Sequence, residues 1–304
     1  MPAHVPVLLD EVLSHMITDR GGAYVDATFG RGGHARALLA GLAADARLRV
    51  IDRDPEAIAC ARELAAHDPR VEVVAGPFSA LGTQCADLRG RLAGVLLDIG
   101  VSSPQLDDAA RGFSFRHEGP LDMRMDPASG QSAAEWLASA REEDIADVLW
   151  RYGEERRSRH IARRIVATRD SAPLRTTSDL ATLVRACVHQ RGARIDPATR
   201  TFQAVRMHVN DELGELDAAL DAALELLAPG GRLLVIAFHS LEDRMVKQRF
   251  RALDDQRRVA AREGASSGPL FRLVVRKAIK AGASESAANP RARSARLRVL
   301  ERVQ

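Results

Sequence analysis

Apolar and polar positions follow two different rhythms along this chain. In the first hundred residues, short β-branched runs alternate with helical stretches, and Ala23–Ala27 (AYVDA), Leu48–Asp52 (LRVID), Val71–Ala75 (VEVVA) and Ala93–Asp98 (AGVLLD) predict strands. Between them Gly33–Leu42 and Pro55–Ala66 have helical composition. In the second, Asp54 stands as N-cap and Pro55 at the first helical position, where a missing N–H costs nothing. Repeated strand–helix–strand units imply a parallel, doubly wound sheet. From about Ser103 to Ala198 the strand signal stops, and Ala133–Ala140, Glu142–Tyr152, Glu154–Arg169 and Thr177–Gln190 predict charged helices. The α/β rhythm then resumes with a long helical stretch over Phe202–Leu227, a Pro229-Gly230-Gly231 turn and a strand over Arg232–Phe238 (RLLVIAF). A further helix leads to two closing strands, Phe271–Lys277 and Ala295–Arg302. The pattern is that of an α/β fold interrupted once: residues 1–104 and 199–304 make one discontinuous domain, and 105–198 an inserted helical subdomain.

Composition adds that 304 residues with 46% hydrophobic content can bury a full core. No apolar run approaches the roughly 18 residues of a membrane span and the first nine residues lack a secretory pattern, so a cytoplasmic location is expected. Cys60, Cys85 and Cys187 are scattered and lack C-x-x-C or His spacing, so no metal site is expected. Charge is uneven: Leu241–Gln304 carries 16 Lys+Arg against 7 Asp+Glu in a chain whose overall net charge is +3. That asymmetry fits a polyanionic partner for the C-terminal part, and equally a solvated Arg-rich surface.

The chemistry-bearing segments sit where strands end. Asp26–His34 (DATFGRGGH) follows the first strand and opens the first helix, and its glycines let a ligand approach main-chain N–H groups at the switch point of such sheets. Asp52 closes the next strand, placed to accept bonds from ribose hydroxyls. These two features suit a dinucleotide or S-adenosylmethionine alike. The fourth strand ends in Asp98–Gln105 (DIGVSSPQ), a polar turn at the edge where methyltransferases place the accepting atom, and the two closing strands suit the terminal hairpin of a methyltransferase sheet. With only two tyrosines, Tyr24 and Tyr152, a Tyr-Lys dehydrogenase site is disfavoured.

Seven ordered segments then resemble the bacterial 16S rRNA cytosine-N4 methyltransferase family, small-subunit rRNA methyltransferase H. They are HVPVLLDEV from His4, DATFGRGGH from Asp26, DIGVSSPQLDDAARGFSF from Asp98, GPLDMRMD from Gly119, RTFQAVRMHVNDELGEL from Arg200, FHSLEDRMVK from Phe238 and NPRARSARLRVLER from Asn289. The resemblance runs over essentially the whole chain. It implies a Rossmann-like class I methyltransferase sheet with a helical insertion, S-adenosylmethionine as methyl donor, and a decoding-centre cytosine of 16S rRNA within the small ribosomal subunit as acceptor. It also puts Gly32, Gly33 and His34 in the cofactor turn, Asp52 on the ribose, Phe78 near the adenine, and Asp98 and Gln105 around the methionine end. Read alone, Phe78 is a core aromatic and His34 a residue capping its own turn.

Methyl transfer to an amine is a one-step displacement that needs alignment and hydrogen-bond acceptors beside the nitrogen. Asp98, Ser102, Ser103 and carbonyls of the Val101–Pro104 turn are candidates, and Asp98 serves equally as partner of a cofactor ammonium. His239, at the end of the RLLVIAF strand, is a candidate for base contact or proton acceptance and equally a helix-entry residue. Phe113, Phe115 and Phe202 are candidates to receive a splayed base, with core packing the stronger expectation. Arg156, Arg157, His160, Arg163 and Arg164 fall on one helical arc, opposite Ile161, Ala162, Ile165 and Val166. They and Arg291, Arg293, Arg296 and Arg298 are expected to grip RNA. A methyltransferase acting on DNA or nucleotide amines, or a non-catalytic cofactor-binding RNA protein, stays open as an alternative, as does a homo-oligomeric state.

Overall fold

The computed structural model describes residues 6–188, 196–264 and 268–304. It divides into two compact units, Met1–Gly100 with Leu213–Gln304, and Val101–Glu212. In the first unit, seven strands form one sheet: β1 (Ala23–Asp26), β2 (Arg47–Asp52), β3 (Val71–Ala75), β4 (Leu92–Asp98), β5 (Leu227–Ala237), β6 (Phe271–Leu273) and β7 (Arg296–Arg302). Their order is β3-β2-β1-β4-β5-β7-β6. The first five strands pair in parallel, and β7 is antiparallel to both β5 and β6. The chain reverses direction across the sheet between β1 and β4, which places a switch-point crevice at their carboxyl ends.

Alternation along the strands builds two cores. Leu96, Leu234 and Ile236 face α1 (Leu9–Met16), α2 (Gly33–Gly41) and α3 (Pro55–His67), whereas Val95, Leu97, Leu233 and Val235 face the opposite way. That opposite face is covered by the short α4 (Leu81–Gln84) and, further along the chain, by two helices that enter below. The Asp54 side chain accepts from the Glu56 N–H at the start of α3, as its sequence position predicts. The Pro229-Gly230-Gly231 segment lies within β5 as a bulge. Pairing jumps from Leu92↔Leu227 to Gly94↔Arg232, and a Cβ on Gly231 would stand 2.3 Å from the Leu92 carbonyl oxygen.

The second unit is helical: α5 (Ser103–Asp107), α6 (Ala133–Ser139), α7 (Glu142–Gly153), α8 (Ser158–Thr168), α9 (Thr177–Cys187) and α10 (Ala198–Val209). Ile145, Leu149, Ile161, Ile165, Leu180, Val184 and Val205 make its core. The arc predicted for α8 is observed, with Ile161, Ala162 and Ile165 buried and the arginines exposed, but the helix begins at Ser158. Glu154 takes a left-handed conformation (φ 49°) that closes α7 and separates the two helices. The helix predicted over Thr177–Gln190 ends at Cys187, and Gln190 lies outside the described residues.

The single long helix expected over Phe202–Leu227 is instead two, α10 and α11 (Glu212–Leu226), and the remaining helices are α12 (Ser240–Glu263) and α13 (Ala283–Ala288). Leu216, Leu220 and Ala223 of α11, with Val246 and Phe250 of α12, cover the second face of the sheet. The break between α10 and α11 is built by Asn210. Its side chain accepts from the Met125 N–H (2.8 Å) and donates to the Met123 (2.7 Å) and Arg206 (2.9 Å) carbonyls, and Asp211 follows in the left-handed region at φ 47°. Asn210→Ala removes every one of those bonds and leaves buried backbone groups unpaired. It is expected to destabilise the second unit by about 2 kcal/mol, read as a lower denaturation midpoint at unchanged slope.

Candidate active site

The carboxyl ends of β1, β2, β3 and β4 carry the residues that sequence reasoning singled out in the first unit. The turn after β1 is shaped by Gly32, which caps α2 at φ 75°. A Cβ there would meet the Phe29 ring at 2.5 Å, and one on Gly33 would meet Pro6 Cγ at 2.4 Å. Both positions therefore require glycine, one for backbone conformation and both for space. Asp52, ending β2, ties this turn to the next. Its Oδ2 accepts from the Gly30 N–H (2.8 Å) and its Oδ1 from the Asp54 N–H (2.9 Å), while burial holds its carboxyl above the ordinary range. Each oxygen keeps a lone pair for a further donor, such as a ribose hydroxyl. Phe78 opens a short 3-10 turn after β3. It is half-buried against the core of that face, beside Ser79, whose N–H donates to Glu215 (3.1 Å).

Asp98 ends β4 at the same edge. Its N–H donates to the Thr28 hydroxyl (2.6 Å), its Oδ2 lies 3.6 Å from His34 Nδ1, and its Oδ1 is buried with no partner among the described residues. His34 is itself buried, with Nε2 3.0 Å from the Val7 carbonyl oxygen. A carbonyl only accepts, so Nε2 carries a proton and Nδ1 is turned toward the carboxyl. Burial, then the negative charges of Asp26 and Glu242, push Asp98 up to about 8. Asp26, 1% exposed, is pushed up to about 7, chiefly by its own burial and in part by Asp52. Several acids held close with one oxygen unbonded form a site prepared for a positive or hydrogen-donating ligand.

At the end of β5, next in the sheet, His239 caps α12, and its Nε2 lies 2.8 Å from Oε1 of the fully buried Glu242. The other oxygen of Glu242 accepts the Phe238 N–H (3.1 Å), which holds the carboxylate in place. The close approach of His239 to Glu242 lacks hydrogen-bond geometry: both ring nitrogens of His239 and Oε1 of Glu242 are buried without a hydrogen-bond partner among the described residues. Glu242 and Thr28 were not foreseen. The signal for Glu242 was its position three residues after the helix-capping residue, where a carboxylate reaches back to the turn.

Ser102 and Gln105 belong to the second unit, where they cap α5 reciprocally: the Ser102 N–H donates to Gln105 Oε1 (2.9 Å) and the Gln105 N–H to Ser102 Oγ (3.4 Å). The structure joins these two to each other, and the S-x-x-Q spacing announces that role. Phe113 and Phe202 lie in the core of the second unit, and Phe115 packs edge-on against Phe202 at 4.8 Å between centroids. Of the arginines expected to meet RNA near β7, Arg298 is 11% exposed and bonds Asp243 at 2.7 Å, so it is an internal ion pair.

The sequence profile of the MraW methylase family matches residues 1–303. A protein of Xanthomonas campestris pv. campestris named ribosomal RNA small subunit methyltransferase H is 55% identical over 99% of this chain and 88% of its own length. One of the same name from Stenotrophomonas maltophilia is 54% identical over 98% of this chain and 93% of its own. Among solved structures, an rRNA methylase from Streptococcus thermophilus covers 97% of this chain and 94% of its own at 11% identity, with a TM-score of 0.42, a likeness too low to bear on fold or activity.

Proposed function

Since the chain belongs to the MraW methylase family, we propose that it transfers a methyl group from S-adenosylmethionine to the exocyclic N4 amine of a cytosine in 16S rRNA of the small ribosomal subunit. The observation that carries the reading is the half-buried Asp98 carboxyl, its Oδ1 buried and unpartnered among the described residues, at the same sheet edge as the Gly32–Gly33 turn and Asp52. These residues fit the cofactor. The glycines let the turn fold closely over Phe29 and Pro6 and present its main chain to the methionine end, Asp52 accepts from ribose hydroxyls, Phe78 lies beyond β3 on the adenine side, and Asp98 pairs with its ammonium.

When bound, S-adenosylmethionine supplies an electrophilic methyl on a sulfonium. The chain's part is alignment, desolvation and proton handling. Asp98, raised by its buried neighbours, gives up its proton when a cation arrives beside it, so binding charges the carboxyl only in the complex. Methylation of an amine releases one proton, and His239 is the acceptor. Its two ring nitrogens are buried without a hydrogen-bond partner among the described residues, Nε2 standing 2.8 Å from the Glu242 carboxyl, and Nδ1 receives the proton. Gln105 and Ser102, by closing α5, stiffen the chain that leaves Asp98. The exposed arc Arg156, Arg157, Arg163 and Arg164 of the second unit and the exposed Arg293 of the first supply phosphate contacts. Glu242→Gln, which removes the negative charge beside His239, is expected to lower kcat about tenfold with little change in KM for subunits, measured by steady-state methylation.

The reading is tested by offering labelled S-adenosylmethionine together with small subunits, naked 16S rRNA, duplex DNA or free cytidine. Incorporation into subunits or their RNA is expected. Incorporation into DNA alone would move the activity to the alternative nucleic acid, and none at all would leave a cofactor-binding RNA protein.

A further inference from the structure

The segment between β6 and α13 has a character that the sequence reading did not single out. From Gly264 to Ser284 the chain contains no Asp or Glu, yet it carries Arg272, Arg276, Lys277 and Lys280. Arg272 is spoken for, bonding Glu301 at 2.7 Å. Arg276, Lys277 and Lys280 are exposed and have neither hydrogen-bond nor ion-pair partner among the described residues. Their segment is nonetheless well anchored. Val274, Val275, Ile279 and Ala281 pack against the first core, Val274 N–H donates to the Val299 carbonyl (3.2 Å), and Ile279 and Leu297 exchange backbone hydrogen bonds at 2.9 Å each way. Apolar side chains thus turn inward and the cations outward from a fixed backbone.

Sheet register fixes where this happens. Asp98 pairs with Ile236, Ile236 with Leu297, and Leu297 with Ile279, so one lateral row runs from the Asp98 edge to this segment. Three interstrand steps put Ile279 about 14 Å from Asp98. His239 follows two residues after the end of β5, the strand between Asp98 and Leu297 in that row. Three unneutralised cations on a rigid segment, a few nucleotides' reach from the reacting edge, complement the phosphates flanking a target base. Some surface arginines of this unit are neutralised by acidic partners, as Arg249 is by Asp217 and Asp221; these three are not, and they stand together on one anchored segment.

We infer that Arg276, Lys277 and Lys280 form a phosphate-binding strip that holds the RNA strand beside the cytosine being methylated. The inference rests on the proposed rRNA activity. The strip positions substrate and takes no part in methyl transfer.

The test compares wild type with Arg276→Ala/Lys277→Ala/Lys280→Ala and with the charge-keeping Arg276→Lys/Lys277→Arg/Lys280→Arg. Binding to 16S rRNA is titrated over a range of salt, and methylation of small subunits is followed in parallel. Loss of three phosphate contacts should reduce the slope of log affinity against log salt by about 2. It should also raise KM for subunits about tenfold or more, while S-adenosylmethionine affinity and thermal midpoint stay at wild-type values and the charge-keeping variant behaves as wild type. An unchanged slope and KM in the alanine variant overturns the strip and leaves the methylation reading standing. A wild type that binds RNA with a slope the variant lowers, yet methylates nothing, overturns the methylation reading and leaves the strip.

Discussion

Affinity for S-adenosylmethionine is expected to rise about 20-fold between pH 6 and pH 8, pass through a maximum near pH 8 and decline above it. The rise follows from Asp98, whose carboxyl is held at about 8 and must ionise to pair with the cofactor's ammonium. The decline follows from the ammonium itself, since an α-amino group loses its proton at about the same pH. Isothermal titration calorimetry in buffers of different ionisation enthalpy should register proton release on binding at pH 6 to 7. In Asp98→Asn the rising limb should vanish and affinity at pH 8 fall at least tenfold, the cost of a lost charge-assisted bond. The same carboxyl makes a second statement about the ligand-free protein. Its folded pKa lies above the unfolded value, so it favours folding fully below about pH 4, and that contribution is lost as pH rises through about 8. Asp26, at about 7, acts in the same direction. Wild-type stability without cofactor should therefore decline across that window, and Asp98→Asn should flatten the decline.

His239→Ala is expected to slow single-turnover methylation of small subunits by about 100-fold, the lower range for losing a positioned proton acceptor, while S-adenosylmethionine affinity changes little. The geometry behind this is an imidazole whose two nitrogens are both buried without a hydrogen-bond partner among the described residues, Nε2 standing 2.8 Å from Glu242. A helix-entry role alone would show as a lower denaturation midpoint with the chemical rate intact. His239→Gln, which keeps the size and one hydrogen-bonding end but cannot take a proton, separates the two: a packing role is rescued by it and a proton-accepting role is not.

Much of the sheet was legible in the sequence because buried parallel strands write themselves as short β-branched runs ended by polar turns. AYVD, LRVID, VEVVA and LAGVLLD emerge as β1 to β4 with ends shifted by no more than a residue. The same logic overreached at Phe271–Lys277, where only Phe271–Leu273 pairs with β7 in a strand. Beyond it, Val274 and Val275 are the apolar anchors of a loop that packs on the core, and β-branched residues there mimic a strand's composition. The break at Asn210 was hidden for a different reason: Asn210, Asp211 and Gly214 are only a weak local signal within a helical pattern, and the interruption is fixed by a carbonyl and an N–H of the Met123–Met125 segment, about 85 residues earlier in sequence. No local rule sees a partner so distant. The glycine turn and Asp52 could be placed from sequence because their spacing is set by one strand and one helix. Glu242 could not, because its importance lies in being wholly buried beside His239, and burial of a carboxylate is not written in composition.

The most direct measurement is the identity of the modified nucleoside. Small ribosomal subunits lacking the modification are incubated with S-adenosylmethionine carrying an isotopically labelled methyl group and either wild-type protein or Asp98→Asn, and their 16S rRNA is digested to nucleosides for mass spectrometry. Label in N4-methylcytidine with wild type, strongly reduced with Asp98→Asn, is the expected result; label confined to any other nucleoside, or equal label from the two proteins, would contradict it.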